Sequence, residues 1–568
     1  MSATARARAA GAAAAVLWLL LGLRWFDDAA PWRPAWLERV PPLLLALSVL
    51  FLLALALAGR WRALLGPPLG PARGGLLLVV ALAVLFRLPL AWQGAGGYVT
   101  PDGALSGIVA LHLREGTDHL VFVPNVSYSG SLKSHFTALL SSVVDPARAF
   151  ALVSVGFYAA FVAGLHRLAL LVGGSAWAAT AAGLYAAFAP AFVTRYSLSN
   201  DGNYVEVLAL GTWALVLAVR WRREESAASV LALAVGLLLG LAFWCHVLAV
   251  IHAAAIVLWA LLVAPRRALR ATPSVALGFV LGDWPGLLWN AAHGWQSFEY
   301  LLPGRVGSDS ASGPGLPARA WGLIADQTLV LLGYDTGYPL VADFILRTLA
   351  VVALAAAGVA TFAAAREAWR RRSPELGLLL VFTTVNVLVA LLALPQVKGN
   401  PRYLLFLMAP LPIFVALLLD RPRGRWLMAV LVALGAVGAL AQAPGALRSD
   451  AQWRRFVADL EAEGVRWCET DFHLATKLNF LSEERLICSA KLGPVTTEYF
   501  FEYRRQVDAA PEAALIAVNG TAAEKLERRL ERLGVSYERR DFMKPVLLRL
   551  SRKVGAEELF PDREFPLR

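Results

Sequence analysis

The chain alternates between long apolar runs and short polar breaks. The runs fall at Ala12–Trp25, Pro42–Ala58, Gly75–Trp92, Ala147–Leu165, Ala176–Val193, Tyr204–Val219, Ser229–Trp244, Val247–Val263, Pro273–Ala291, Phe344–Ala364, Leu376–Leu394, Tyr403–Leu419 and Trp426–Ala441. A helix rises 1.5 Å per residue, so roughly 20 apolar residues cross a bilayer core. The pattern predicts about thirteen helical spans.

Two segments after the third run carry a different period. Leu105, Ile108, Val109 and His112 share one helical face within Ala104–Arg114, and Leu132, Phe136, Leu139, Leu140 and Val143 share another. Both are expected to be amphipathic helices at the membrane interface. Just before the first stands Tyr98-Val-Thr-Pro-Asp-Gly-Ala-Leu-Ser-Gly107. Thr100 suits an N-cap and Pro101 the first helical position, which places Asp102 in the first turn. The helix dipole favours an ionised carboxylate there, so Asp102 serves either as a helix-start residue or as a base.

Beyond Ala443 the periodicity becomes that of a soluble domain. A helix over Asp450–Gly464 leads to strands at Val465–Cys468, Arg485–Ser489, Ala514–Val518, Tyr537–Phe542 and Val546–Leu550, with helices at Leu474–Leu481 and Ala522–Gly534. The expected architecture is a polytopic α-helical membrane module over 1–442 and a small extracytoplasmic α/β domain over 443–568. The Gly304–Pro317 segment has no period and reads as a loop, either a plain linker or a lid.

Composition agrees with the pattern. Of 568 residues, 58% are hydrophobic and only 17% charged, too apolar for a soluble protein. The net charge of +12 then needs no nucleic-acid partner. Arg60, Arg62 and Arg73, then Arg167, Arg220 to Arg223, Arg266 to Arg270, Arg366 to Arg372 and Arg421 to Arg425 occupy alternate loops, as cytoplasmic loops do. The N-terminus joins them as a retained first span without a cleavage site. The opposite loops carry Asp102, Asp118, Asp201 and the C-terminal domain. The abundance of Arg over Lys, with many Ala, Leu and Gly, fits a GC-rich bacterial genome and hence a plasma (inner) membrane. Cys245, Cys468 and Cys488 lack CxxC spacing, and Cys468 and Cys488 are free to pair in an extracytoplasmic domain. No HExxH, Walker or GxGxxG pattern occurs, so neither a resident metal nor a nucleotide cofactor is indicated; a divalent cation is left open.

Charges at membrane depth are expensive and mark candidate chemistry. Arg87, inside the third run, suits snorkelling, pairing with Asp102 or holding a phosphate. Arg195, Tyr196, Asp201, Tyr204 and Glu206 gather at the outer end of the fifth run. Glu206 enters the next span, where it needs a cation, a hydroxyl or a sugar. Two further outer clusters are Gln396-Val-Lys398-Gly-Asn-Pro-Arg402-Tyr403 and Tyr128-Ser-Gly-Ser-Leu-Lys133 with His135. Their cations suit a phosphate or pyrophosphate, or equally lipid headgroups.

Taken in order, Arg87-Leu-Pro, Asp102-Gly-Ala, Tyr128-Ser-Gly-Ser-Leu, Pro190 with Tyr196-Ser197, Gly202-Asn-Tyr-Val-Glu206 and Arg402-Tyr-Leu-Leu resemble the marks of bacterial GT-C glycosyltransferases. This superfamily includes the protein O-mannosyltransferases and the lipid A aminoarabinose transferase. The resemblance runs from about Gly75 to the last span and also touches the C-terminal domain. It implies inverting transfer of a sugar from a polyprenyl-phosphate donor to an extracytoplasmic lipid, glycan or protein, with Asp102 as general base. Arg402, Lys398 or Lys133 would then hold the phosphate; Asp201 and Glu206 would orient hydroxyls, with Arg87, Arg195, Tyr204 and Tyr403 completing the substrate-binding set. Relatives commonly carry a second acid directly after the first and a Glu where Lys133 stands; this chain has Gly103 and Lys133. Two readings of other classes remain at this stage: a transporter or flippase of lipid-linked glycans, and a non-catalytic membrane scaffold. The first predicts polar or broken helices near the midplane.

Overall fold

The computed structural model describes residues 3–57, 70, 72–199, 201–301, 315–334, 340–394, 399–493, 498–542 and 544–561. Lys398 and the Gly304–Pro317 loop, apart from its last three residues, lie outside them. Each predicted apolar run falls on a helix or a broken helix. Among the described residues seven helices are long and apolar enough to cross a membrane: Ala72–Gln93, Pro146–Gly173, Asp201–Arg223, Ala228–Cys245, Phe344–Arg371, Pro374–Leu392 and Pro422–Ala462. The fifth run is a pair, Ala176–Ala187 and Ala191–Ser199, bent by 72°. Pro190 stands in the break, where it can supply no N–H to the helix ladder. The ninth run divides into Pro265–Gly282 and Trp284–Ala292, and the twelfth opens as a 3₁₀ turn, Arg402–Met408, before Pro410–Leu418. Apolar periodicity reports burial, not backbone continuity, which is why these breaks were not visible in it.

Glycines set the closest helix contact. A Cβ on Gly236, Gly240, Gly278 or Gly282 would strike a carbonyl oxygen of the facing helix, so Ala228–Cys245 and Pro265–Gly282 touch backbone to backbone. Such small-xxx-small pairs gain packing where no hydrophobic force acts between helices.

The loops sort into two ends. At the basic end, Arg223 donates to the Leu171 carbonyl and pairs with Glu375, and Arg267 donates to the Arg222 carbonyl. At the other end, Thr100 bonds Asp201, Tyr196 bonds Asn400, and Asn125 bonds the Glu498 carbonyl of the C-terminal domain. The alternation read from charge is therefore an alternation in space.

The C-terminal domain is a five-stranded sheet in the order β4-β3-β5-β7-β6, preceded in the chain by a hairpin of β1 (Phe122–Val123) and β2 (Val126–Gly130) in the membrane module. Its strands are β3 (Trp467–Thr470), β4 (Ile487–Ala490), β5 (Ala514–Ala517), β6 (Tyr537–Asp541) and β7 (Val546–Leu550). β3 runs parallel to β4 and β5, while β7 is antiparallel to its neighbours. A helix at Phe501–Ala509, not anticipated from the sequence, also packs here. Cys468 faces Cys488 in register and the two are disulfide-bonded.

One expectation needs correction. The helix Pro101–Glu115 does not lie at a lipid interface: Gly103 to Leu111 are buried throughout. The domain covers it, with Gly107 seated against the Phe480 ring. The helix Leu132–Ser141, by contrast, leaves Phe136 and Leu139 exposed, with Val143 just beyond it, as an interfacial helix would. The boundary at 442/443 falls inside a helix. Pro422–Ala462 is one helix of 41 residues that carries the last span directly into the domain.

Candidate active site

The site is built where the Pro101–Glu115 helix begins. Thr100 accepts from the Gly103 N–H at 3.1 Å and donates to Asp201 Oδ1 at 2.6 Å. One hydroxyl thus caps the helix and ties it to the loop before Tyr204–Arg223. Arg195 meets the other Asp201 oxygen at 3.4 Å. Asn203, held in the left-handed region at φ 61°, donates to Ser129 Oγ, the Gly130 carbonyl and the Cys245 carbonyl. It fastens the β1–β2 hairpin and the end of Ala228–Cys245 to the same loop.

Asp102 is the carboxylate this frame leaves free: it accepts no hydrogen bond from a described residue. Its side chain is open to solvent although protein surrounds it. That surrounding mass pushes its pKa up and nearby Asp201 adds to the rise, while Arg402 and His473 oppose it. Arg402 donates to Tyr403 Oη at 3.0 Å, with its guanidinium 4.9 Å from that ring. Its Nε is buried without an acceptor. A buried donor without a partner costs about 1–3 kcal/mol, a debt that a bound anion would remove. Aromatic groups complete the wall: Tyr128 stands 4.4 Å from Tyr300, and Tyr204 packs on His246, Tyr196 and Tyr403.

Several predicted residues sit elsewhere than expected. Arg87 is fully buried and spends its fork on Ser197 Oγ and the carbonyls of Ala83, Ala186 and Ala187. Its guanidinium lies 4.0 Å from the Tyr158 ring. It neither snorkels nor pairs with Asp102; it caps the broken end of Ala176–Ala187. Asp201 is engaged by Thr100 and Arg195. Lys133, only 1% exposed, donates to the Ser199 carbonyl at 3.3 Å and lies 3.3 Å over the Phe150 ring. Burial lowers its pKa to about 7, against the pull of Glu206 and Asp201. Glu206 is fully buried in the first turn of its helix.

Gly103 and Lys133 explain each other. A Cβ at position 103 would lie 3.4 Å from Phe150 and 3.5 Å from the Ser199 carbonyl, the same two groups the Lys133 ammonium touches. The ammonium occupies the surroundings in which a second acid would stand. Position 103 offers no ligand to a divalent cation, and the Lys133 amine fills the space beside it.

Sequence reasoning missed His473, whose charge acts on Asp102, and Tyr499, on which the Asp102 charge acts; both belong to the C-terminal domain. They are hundreds of residues away in the chain and carry no local motif.

No protein-family model and no curated protein matches the chain in sequence. Solved structures do match in fold. ArnT from Cupriavidus metallidurans bound to undecaprenyl phosphate superposes with a TM-score of 0.58 at 13% identity, over 84% of this chain and 98% of that one. Its apo form gives 0.57 at 12% identity with the same coverage. The archaeal oligosaccharyltransferase AglB from Archaeoglobus fulgidus, in complex with an inhibitory peptide and a dolichol-phosphate, gives 0.48 at 12% identity over 78% of this chain and 69% of that one. By its likeness to the two ArnT structures the chain has a GT-C-like fold, a multi-pass helical membrane module carrying a small C-terminal α/β domain.

Proposed function

We propose that the protein is a membrane glycosyltransferase that moves a sugar from a polyprenyl-phosphate donor to an extracytoplasmic acceptor. One observation carries the reading: a free carboxylate, Asp102, lies within electrostatic reach of a guanidinium, Arg402, whose buried Nε lacks an acceptor. An acceptor hydroxyl gives its proton to Asp102 as its oxygen bonds the anomeric carbon. The bond from that carbon to the phosphate oxygen breaks with its electron pair, and Arg402 holds the departing phosphate. A single displacement of this kind inverts the anomeric centre. Tyr128, Tyr300 and Tyr499 offer ring faces to the sugar, and Arg195 and Tyr204 shape its wall; Lys133 and Glu206 act from behind as positioning residues.

The outward orientation is supported by the loops rich in Arg at the opposite end and by the disulfide, which persists in oxidising compartments. The bacterial inner membrane is the setting these features fit. The acceptor class follows from comparing cell-envelope glycans and lipids, by mass spectrometry, between a deletion strain and strains complemented with wild type or Asp102→Asn. A sugar restored by wild type alone supports the reading; one restored equally by Asp102→Asn ends the assignment of the base.

A further inference from the structure

The C-terminal domain contains a crevice that the proposed transfer does not use. Its parallel strands branch from β3, with β4 on one side and β5 on the other. In open α/β sheets such a reversal leaves a gap outside the carboxyl ends of the strands, where ligands bind. That gap is present here as a cavity of about 1420 Å³, walled by Asp471 to Leu474 after β3, Leu492 and Gly493 after β4, and Ile516 to Val518 at the end of β5. Typical small-ligand sites hold ~300–1,000 Å³.

Its charge is one-sided. Lys525, Arg528, Arg529 and Arg532 recur at i, i+3, i+4 and i+7 and so share one face of Gly520–Arg532. They line a smaller hollow that meets the first at Lys525 and Arg529. Lys525 has no acidic partner among the described residues. Lys477, 9% exposed, enters from the other wall with its ammonium 4.1 Å over the Trp453 ring. Most acidic oxygens of the crevice are engaged: Asp471 caps its helix through Oδ1, leaving Oδ2 unpaired, Asp459 pairs with Arg455 and Asp541 with Arg539. Trp453, Phe456, Phe472 and Phe542 supply apolar faces. At its inner end the crevice touches Pro101, beside Asp102.

We infer that this switch-point crevice is a binding site for an anionic saccharide, whose phosphate or carboxylate is held by Lys525, Arg529 and Lys477 while its rings lie on the aromatic wall. Its contact with Pro101 makes it the route by which such an acceptor reaches the base, a step that rests on the proposed transfer; the binding itself does not.

The test uses the full-length protein in phosphatidylcholine nanodiscs with glucose 6-phosphate, glucuronate and glucose as probes. Acylation of Lys525 is followed by mass spectrometry and binding by ligand-observed NMR. Either charged sugar should protect Lys525 and bind at least about tenfold more weakly to Lys525→Gln/Arg529→Gln, which removes two of the three cations that hold the anion. Protection by only one of the two identifies the anion as phosphate or carboxylate. Equal binding of glucose, or unchanged binding to the double variant with a wild-type melting curve, overturns the site. Asp102→Asn should bind the probes as wild type does. An active Asp102→Asn would therefore remove the proposed base without touching this site, and loss of probe binding would leave the base standing.

Discussion

At the scale of single residues, the surrounding protein moves Asp102 and Lys133 towards their neutral forms. Asp102 has its pKa raised, first by desolvation and then by Asp201, so it remains protonated further up the pH scale than an ordinary carboxylate. A protonated carboxyl cannot accept a proton. The acidic limb of kcat/KM should therefore lie above pH ~4, and Arg402→Gln, which removes a charge that lowers the pKa, should move that limb upward while reducing kcat about 100-fold. A limb that stays in place in the variant would separate Arg402 from Asp102. Lys133 moves the other way, to about 7 in the folded state. An unfolded Lys titrates near ~10.4, so between these values the unfolded chain binds more protons and stability rises with pH. Lys133→Met should raise Tm most below pH 7, with the gain fading towards ~10.4, as differential scanning calorimetry across pH would show. In the same frame Gly103→Asp should restore a partner to the ammonium and raise Tm only while Lys133 is present. Asp102 was legible in the sequence because its evidence is local: a Thr cap, a Pro at the first position, an acid in the first turn. Arg87, Asp201 and Lys133 were read as substrate-facing for want of what the sequence lacks, the identity of their partners.

At the scale of elements, the last span runs through the expected domain boundary as one helix. Composition changes near Ala443, and Pro444 follows, two ordinary signals that a helix has ended. The helix continues because its next turns are held by tertiary contact. Asp450 accepts from the Gly96 N–H at 2.7 Å and pairs with Arg454 at 2.8 Å, and Gly97 lies so close to the Ala446 carbonyl that no Cβ fits. This junction sets the height of the turn that leads to Thr100 and Asp102. Asp450→Ala would leave a buried Gly96 N–H without an acceptor, at about 1–3 kcal/mol. We expect a lower Tm together with a fall in kcat, because the first turn of Pro101–Glu115 loses its brace. Denaturation and transfer assays on one preparation read both; a lower Tm with unchanged kcat would make the tie purely structural.

At the scale of the whole molecule, the two predicted domains behave as one body around the site. A single apolar core runs from Leu90, Ile108 and Phe150 of the membrane module to Phe456, Leu478 and Phe480 of the C-terminal domain. The α/β domain is thus packed onto the helix that carries Asp102 and is not an appendage, which neither hydropathy nor periodicity could convey. Its orientation can be read directly. If the Arg-rich loops face the cytoplasm, the Lys525 to Arg532 stripe faces outward, and the Cys468–Cys488 bond forms on that side. Closing a loop of this size should contribute about 3 kcal/mol, so a reductant should lower Tm. Trypsin added to intact spheroplasts should then cut at exposed basic residues of Gly520–Arg532, more rapidly after reduction, while the Arg366 to Arg372 loop is spared. Inverted membrane vesicles should give the reverse pattern. Cleavage of the stripe in inverted vesicles alone would place Asp102 on the cytoplasmic side, and the outward-facing transfer would have to be abandoned together with the acceptor class it serves.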